Sequence, residues 1–215
     1  ETEYSKDPSD VAKRWANAGA ELIHIVDLAA AVEGAPKNLN AIEKIASSVD
    51  VPHQIGGGIM NEKIADRYLG IKGVMRVIIG TLALSEPETI ESLAKRYPGR
   101  IAISIDAKDG FVAIKGWVEV TKTKAIDLAK KFENIGVAAI IYTDISKDGM
   151  LTGPNVEATK KLIDTIKIPV IASGGVSDMK DIEALKKIKA AGAIVGKALY
   201  SGAINLKEAI KTARD

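Results

Sequence analysis

A carboxyl group at the end of a buried apolar run is well placed to trade protons with a bound molecule. Asp106 stands at such a place, after Ile101–Ile105 in the run Ser-Ile-Asp-Ala-Lys-Asp-Gly. It reads as a general acid or base, with a turn or helix-capping aspartate as the plainer alternative. After the next apolar run, Ala138–Tyr142, a long polar loop carries Thr143 and Asp148 in Tyr-Thr-Asp-Ile-Ser-Lys-Asp-Gly-Met-Leu-Thr-Gly-Pro. Long loops in compact folds are usually functional. Thr143 offers a hydroxyl to a substrate hydroxyl. Asp148 is either a second proton-transfer group or an Asp-Gly turn. Trp117, behind Lys115-Gly116 in a hairpin pattern, has a flat face to lay on a ring, unless it anchors the loop in the core.

Glycines recur in the same setting. Gly56-Gly57-Gly58 and Gly80-Thr81 each follow an apolar run, as do Ser173-Gly174-Gly175 and Gly196-Lys197. Glycine between a strand and a helix lets backbone N–H groups converge on a phosphate. One such pair is ordinary turn chemistry, but two pairs in matching register in each half are stronger. The candidate phosphate residues are therefore Gly57, Gly58, Gly80 and Thr81 on one side and Gly174, Gly175, Gly196 and Lys197 on the other. Two cradles facing each other suit a long ligand with a phosphate at each end. His24 lies in a buried-strand pattern and reads as a core histidine, and His53, at the start of a strand, as structural. No histidine pair has metal-ligand spacing beside carboxylates, so no metal is expected. Neither a Gly-x-Ser-x-Gly elbow nor a Gly-x-Gly-x-x-Gly fingerprint is present, which leaves hydrolase and dinucleotide readings unsupported.

The elements that must position these residues alternate. Apolar runs at Leu22–Val26, His53–Ile55, Met75–Ile79, Ile101–Ile105, Ala138–Tyr142, Pro169–Ala172 and Gly192–Val195 read as buried parallel strands. Amphipathic stretches between them, such as Pro8–Ala18, Asn38–Ser48 and Ala125–Ile135, read as helices. An internal repeat underlies this order. A single offset lays Asn17 on Asn134, Gly19 on Gly136, Asp27 on Asp144, Asn38 on Asn155 and Gly57 on Gly174. The fold class that follows is α/β, a (β/α)8 barrel of two half-barrels, about 1–99 and 100–215, in one domain over 1–215. The strand before Asp106 has its repeat counterpart ahead of Glu1, so the seven runs are expected to lack the first strand of the barrel.

Composition limits the partners. The 215 residues hold 30 basic and 28 acidic side chains for a net charge of +2, with 47% hydrophobic and 4% aromatic residues. So even a balance argues against a nucleic-acid surface, and no apolar run has the length of a membrane span. There is no cysteine, hence no disulfide frame, and a cytoplasmic setting is expected. A monomer is expected.

The motifs together resemble a known family. Val-Asp-Leu at 26–28, Gln-Ile-Gly-Gly-Gly-Ile at 54–59, Ile-Gly-Thr at 79–81 and Ile-Asp-Ala-Lys-Asp-Gly at 105–110 belong to the pattern, with Gly-Trp at 116–117. So do the run from Tyr142 to Asn155, Ile-Ala-Ser-Gly-Gly-Val at 171–176 and Val-Gly-Lys-Ala-Leu-Tyr at 195–200. In order along essentially the whole chain, they resemble the phosphoribosylformimino-aminoimidazole-carboxamide ribotide isomerases of histidine biosynthesis. The resemblance implies an Amadori rearrangement of a bis-phosphorylated aminated ribose, aldose to ketose, with no cofactor. It implies that Asp106 is the general acid, Thr143 its hydroxyl partner and Asp148 a further proton-transfer group. It also implies a general base, an aspartate, on the first strand, so that the 215-residue form is not expected to turn over normally. Met60 stands where the family often has arginine, and Ala29-Ala30 where Asp-Gly is frequent. The related cyclase subunit of imidazole glycerol phosphate synthase shares the fold and both cradles, although the Gly-Trp and the Gly-Lys-Ala-Leu-Tyr run favour the isomerase. A catalytically impaired phosphate-binding barrel, truncated or engineered, is the alternative of another class.

Overall fold

Seven apolar runs become neighbours in one parallel sheet in the computed structural model, which describes residues 4–215. The strands are β1 (Ile23–Val26), β2 (His53–Gly56), β3 (Val74–Ile79) and β4 (Ile101–Lys108). A hairpin of β5 (Phe111–Ile114) and β6 (Glu119–Lys124) follows, and then β7 (Ala139–Asp144), β8 (Val170–Ser173) and β9 (Gly192–Ile194). The order β1-β2-β3-β4-β7-β8-β9, with helices between successive strands, is the nearly closed sheet of a (β/α)8 barrel. Among the described residues β1 and β9 are the two ends of that order and do not pair with each other. The helical layer nevertheless joins across them. Tyr4 stacks on Tyr200 with ring centres 4.2 Å apart, and Trp15, on the helix Pro8–Asn17, meets Tyr200 edge-on at 5.6 Å. Arg14 lies over the Trp15 ring at 4.2 Å, and Arg214 pairs with Glu21.

The alternation of strand side chains builds two separate apolar layers. Ile55, Val77, Ile79, Ile101, Ile103 and Ile105 pack outward under the helices. Ile78, Ala102, Ala139, Ile141 and Ile171 point the other way and fill the barrel interior. Period two then carries the inward face of β4 from Ala102 through Ser104 to Asp106, and that of β7 from Ile141 to Thr143.

Two strand ends at the site differ from the sequence reading. β4 does not stop at Ile105, because the hairpin takes up its end: Ala107 pairs with Val112 and Lys108 with Phe111. Asp106 is therefore a strand residue. β7 runs through Asp144, so Thr143 and Asp144 are buried strand residues rather than loop residues. The helix after β6 ends at Lys131, short of Ile135. Four helices were not expected: Leu28–Glu33, Thr81–Ser85, Lys197–Tyr200 and Leu206–Arg214.

Inside the barrel, below the mouth, three strands share a polar ladder. Arg76 Nε donates to Gln54 Oε1 at 2.7 Å, and Gln54 Nε2 lies 2.9 Å from His24 Nδ1. Burial, and then the charge of Arg76, depress the half-buried His24 from its ordinary 6.5 to about 4. Burial also lowers His53, whose Nε2 has no hydrogen-bond partner among the described residues. Both imidazoles thus resist a proton that the unfolded chain accepts. Their contribution is fully present above about pH 6.5 and is lost as pH falls toward the folded value. The thermal midpoint is expected to fall between pH 7 and pH 5, and His24→Gln to flatten that fall. An unchanged slope in the variant would contradict the role given to His24.

Candidate active site

At the carboxyl ends of the strands lies a cavity of about 650 Å³. All twelve residues singled out in the sequence line it. Gly57, Gly58, Gly80 and Thr81 come from the turns after β2 and β3, and Gly174, Gly175, Gly196 and Lys197 from the turns after β8 and β9. Asp106, Trp117, Thr143 and Asp148 stand between the two groups in sheet order.

The repeat is visible in the loops that hold these turns. Asp27 follows β1 and is buried, accepting from Ala30 N at 3.1 Å, Lys37 N at 3.0 Å and Asn38 Nδ2 at 2.7 Å. Asp144, its counterpart, accepts from Ser146 N at 3.0 Å and from Asn155 Nδ2 at 2.6 Å. Burial pushes both carboxyls up, but these hydrogen bonds outweigh it and hold both below the ordinary carboxylate value. Asp27 ties its loop to Asn38, ahead of the helix Leu39–Ser48, and Asp144 ties its loop to Asn155, ahead of the helix Val156–Thr165, a loop-orienting part rather than a reactive one.

That tie brings backbone close to the first glycine turns. A Cβ on Gly57 (φ +106°) would sit 2.3 Å from the Asp27 carbonyl oxygen, and one on Gly58 would sit 2.4 Å from that of Ala30. In the other half a Cβ on Gly175 would be 2.4 Å from the Gly153 oxygen. These glycines are required by the protein's own packing. Gly80 and Gly196 differ. Both have negative φ, −103° and −107°, with nearly equal ψ of −94° and −95°. An added Cβ at Gly80 meets nothing nearer than 3.9 Å, and at Gly196 nothing within 4 Å. The space in front of these two is open.

Between the turns, Asp106 is gripped at both oxygens. Ser104 Oγ donates to Oδ1 at 3.0 Å, and Trp117 Nε1 donates to Oδ2 at 2.8 Å. The hairpin reaches inward through three consecutive left-handed residues, Lys115 (φ +55°), Gly116 (φ +64°) and Trp117 (φ +72°). Side chains other than glycine seldom adopt that region. Thr143 is the neighbour of Asp106 across the β4–β7 register. Asp148 sits at the rim on an exposed loop. The protein packed around it still thins its hydration, and the charge of Asp106 adds to this, so its carboxyl is raised. Lys197 Nζ donates to the Gly149 carbonyl at 2.9 Å and so tethers that loop.

Sequence reading passed over Ser104, although its place two residues before Asp106 on one strand face was a usable signal. His24, read as a core histidine, is hydrogen-bonded to Gln54 inside the barrel and also lines the cavity. Met60 lines the cavity as well, on the side of the first cradle. Among the described residues, no three His, Asp or Glu side chains come together as metal ligands, and no helix is long and apolar enough to cross a membrane.

Comparison with known proteins gives the family. Residues 1–205 match the family described as histidine biosynthesis protein. A protein of Trichlorobacter lovleyi is 55% identical over 213 residues, spanning 98% of this chain and 86% of its own length. One from Geotalea daltonii is 56% identical over 217 residues, spanning 100% of this chain and 88% of its own. One from Geobacter sulfurreducens is 54% identical, over 98% of this chain and 87% of its own length. All three are named 1-(5-phosphoribosyl)-5-((5-phosphoribosylamino)methylideneamino) imidazole-4-carboxamide isomerase. With a matched family model along nearly its whole length and relatives above half identity, the chain belongs to the histidine biosynthesis protein family.

Proposed function

We propose that this chain is an isomerase that converts the aminoaldose named in its relatives, which carries two phosphoribosyl groups, into the corresponding aminoketose. The observation that supports this best is one cavity with a glycine turn pair at each side and two carboxyls, Asp106 and Asp148, between them. Gly80-Thr81 and Gly196-Lys197 take one phosphate each through backbone N–H groups, seated beside Gly57-Gly58 and Gly174-Gly175. The proton-transfer pair opens the ribose ring to a Schiff base, moves the proton off C2 and leaves the ketose. Thr143 hydrogen-bonds a substrate hydroxyl, and Trp117 stacks on the imidazole ring. The substrate itself supplies every bond that changes, so no cofactor enters the scheme.

The test is conversion of the purified aminoaldose, followed by absorbance and by identification of the product. Aminoketose as the product is the expected result. Tight binding without conversion would leave the impaired scaffold. Consumption of the ketose in the presence of ammonia would point to the cyclase.

A further inference from the structure

The polar ladder inside the barrel belongs to one half-barrel only. His24 on β1 pairs in register with Gln54 on β2, and Gln54 with Arg76 on β3. By the internal repeat the same places in the second half are Ile141, Ile171 and Gly192, register neighbours on β7, β8 and β9. Ile141 and Ile171 are packed there as apolar core. Apolar side chains thus suffice to fill the barrel at this level. Polar groups brought inside cost stability unless they are bonded. The ladder of the first half therefore serves something other than packing.

The direction of its hydrogen bonds is fixed by chemistry. An arginine Nε–H can only donate, so the Gln54 amide turns its oxygen to Arg76, at 2.7 Å. The amide NH2 then faces His24 Nδ1, at 2.9 Å, and Nδ1 must accept. Burial and the charge of Arg76 keep His24 neutral at pH 7. A neutral imidazole whose Nδ1 accepts carries its proton on Nε2. Among the described residues, His53 Nε2 is the one buried side-chain nitrogen or oxygen without a partner. His24 Nε2 makes no hydrogen bond among them either, so it is not sealed off. The ring lines the cavity from β1, the strand beside the first glycine turns, and its N–H opens to a bound molecule.

We propose that Arg76 and Gln54 are positioning residues that hold His24 as its Nε2–H tautomer, and that this N–H donates to an oxygen of the phosphoribosyl arm seated at the first glycine turns. The proposal rests on the isomerase reading for the identity of that arm. A neutral donor orients a sugar oxygen without adding a charge of its own. A tautomer fixed in advance spares the ligand the cost of selecting it. Ile141 stands at the matching place in the second half, so the two arms of the ligand are held differently.

The experiment is NMR of the whole chain at pH 7, reading both ring nitrogens of His24 through long-range proton–nitrogen correlations. Nε2 is expected to carry the proton and Nδ1 to be bare. Gln54→Glu replaces the NH2 donor with an acceptor, so Nδ1 is expected to gain a proton. Arg76→Met frees the amide to turn and is expected to give a mixture of tautomers, whereas Arg76→Lys, which still donates, is expected to keep the parent pattern. Saturation with the bis-phosphorylated aminoketose is expected to shift the Nε2–H signal. His24→Phe, which keeps a ring and removes the donor, is expected to weaken that ligand roughly three- to tenfold, the worth of one neutral hydrogen bond. A proton on Nδ1 in the parent chain, or a pattern unmoved in both Gln54→Glu and Arg76→Met, would overturn the positioning. An Nε2–H signal unmoved while the glycine amides shift would overturn the contact. Both failures leave the isomerase reading standing. That reading fails instead if neither the glycine amides nor His24 responds to the aminoketose while the tautomer is as expected.

Discussion

Gly57→Ala is expected to destabilise the chain by roughly 3 kcal/mol, a fall of about 6–12 °C in thermal midpoint for a chain of this size. Gly80→Ala is expected to leave the midpoint within about 2 °C, since a surface change that meets nothing usually costs under about 0.5 kcal/mol. The two glycines look alike in sequence, each closing an apolar run. Their surroundings differ. The φ of +106° at Gly57 costs about 1–2 kcal/mol for any other residue, and the added carbon would press on the Asp27 carbonyl at 2.3 Å. Gly80 has neither restriction. Its small size matters only to something that approaches from the cavity. Gly80→Ala is therefore expected to weaken binding of a bis-phosphorylated ligand at least about tenfold, or 1.4 kcal/mol, while the fold stays intact. Calorimetry of both variants, with and without ligand, checks the contrast. Equal loss of stability in the two would contradict it.

Asp106→Asn is expected to lower turnover by roughly a hundredfold or more, the usual contribution of a positioned acid or base. The change is nearly isosteric, and the grip on the side chain can survive it. The Trp117 indole only donates, so the amide oxygen must face it. The amide NH2 then turns to Ser104, whose hydroxyl can accept. What disappears is the capacity to hold a proton. The loss should accordingly fall on kcat, with KM changed by less than about threefold, as expected for an interaction used only in the transition state. Turnover within a few-fold of the parent chain would remove Asp106 from the proton path. A rise in KM with kcat unchanged would make it a binding residue.

Much of this site could be read before any coordinates. The seven strands were legible because parallel strands covered on both faces carry mostly apolar runs, unbroken in Ala139–Tyr142 and interrupted only by Ser104 in Ile101–Ile105. The internal repeat was legible through pairs such as Asp27 with Asn38 and Asp144 with Asn155, which the structure ties together in both halves. The grip on Asp106 was not. It depends on a hairpin turned inward through three left-handed residues, two of them not glycine, and nothing in Lys-Gly-Trp announces that conformation. The two kinds of glycine were also indistinguishable, because what separates Gly57 from Gly80 is a carbonyl from another loop. The helix Leu206–Arg214 was less legible, since no strand follows it to close a strand–helix–strand unit.

The most direct measurement is an NMR titration of the chain with the bis-phosphorylated aminoketose, following the backbone amides of Gly57, Gly80, Gly174 and Gly196 together. All four are expected to shift along one binding curve, with one ligand per chain. Movement of one pair alone, or two ligands per chain on separate curves, would show that no single molecule spans the two turns, and the isomerase site described here would not stand.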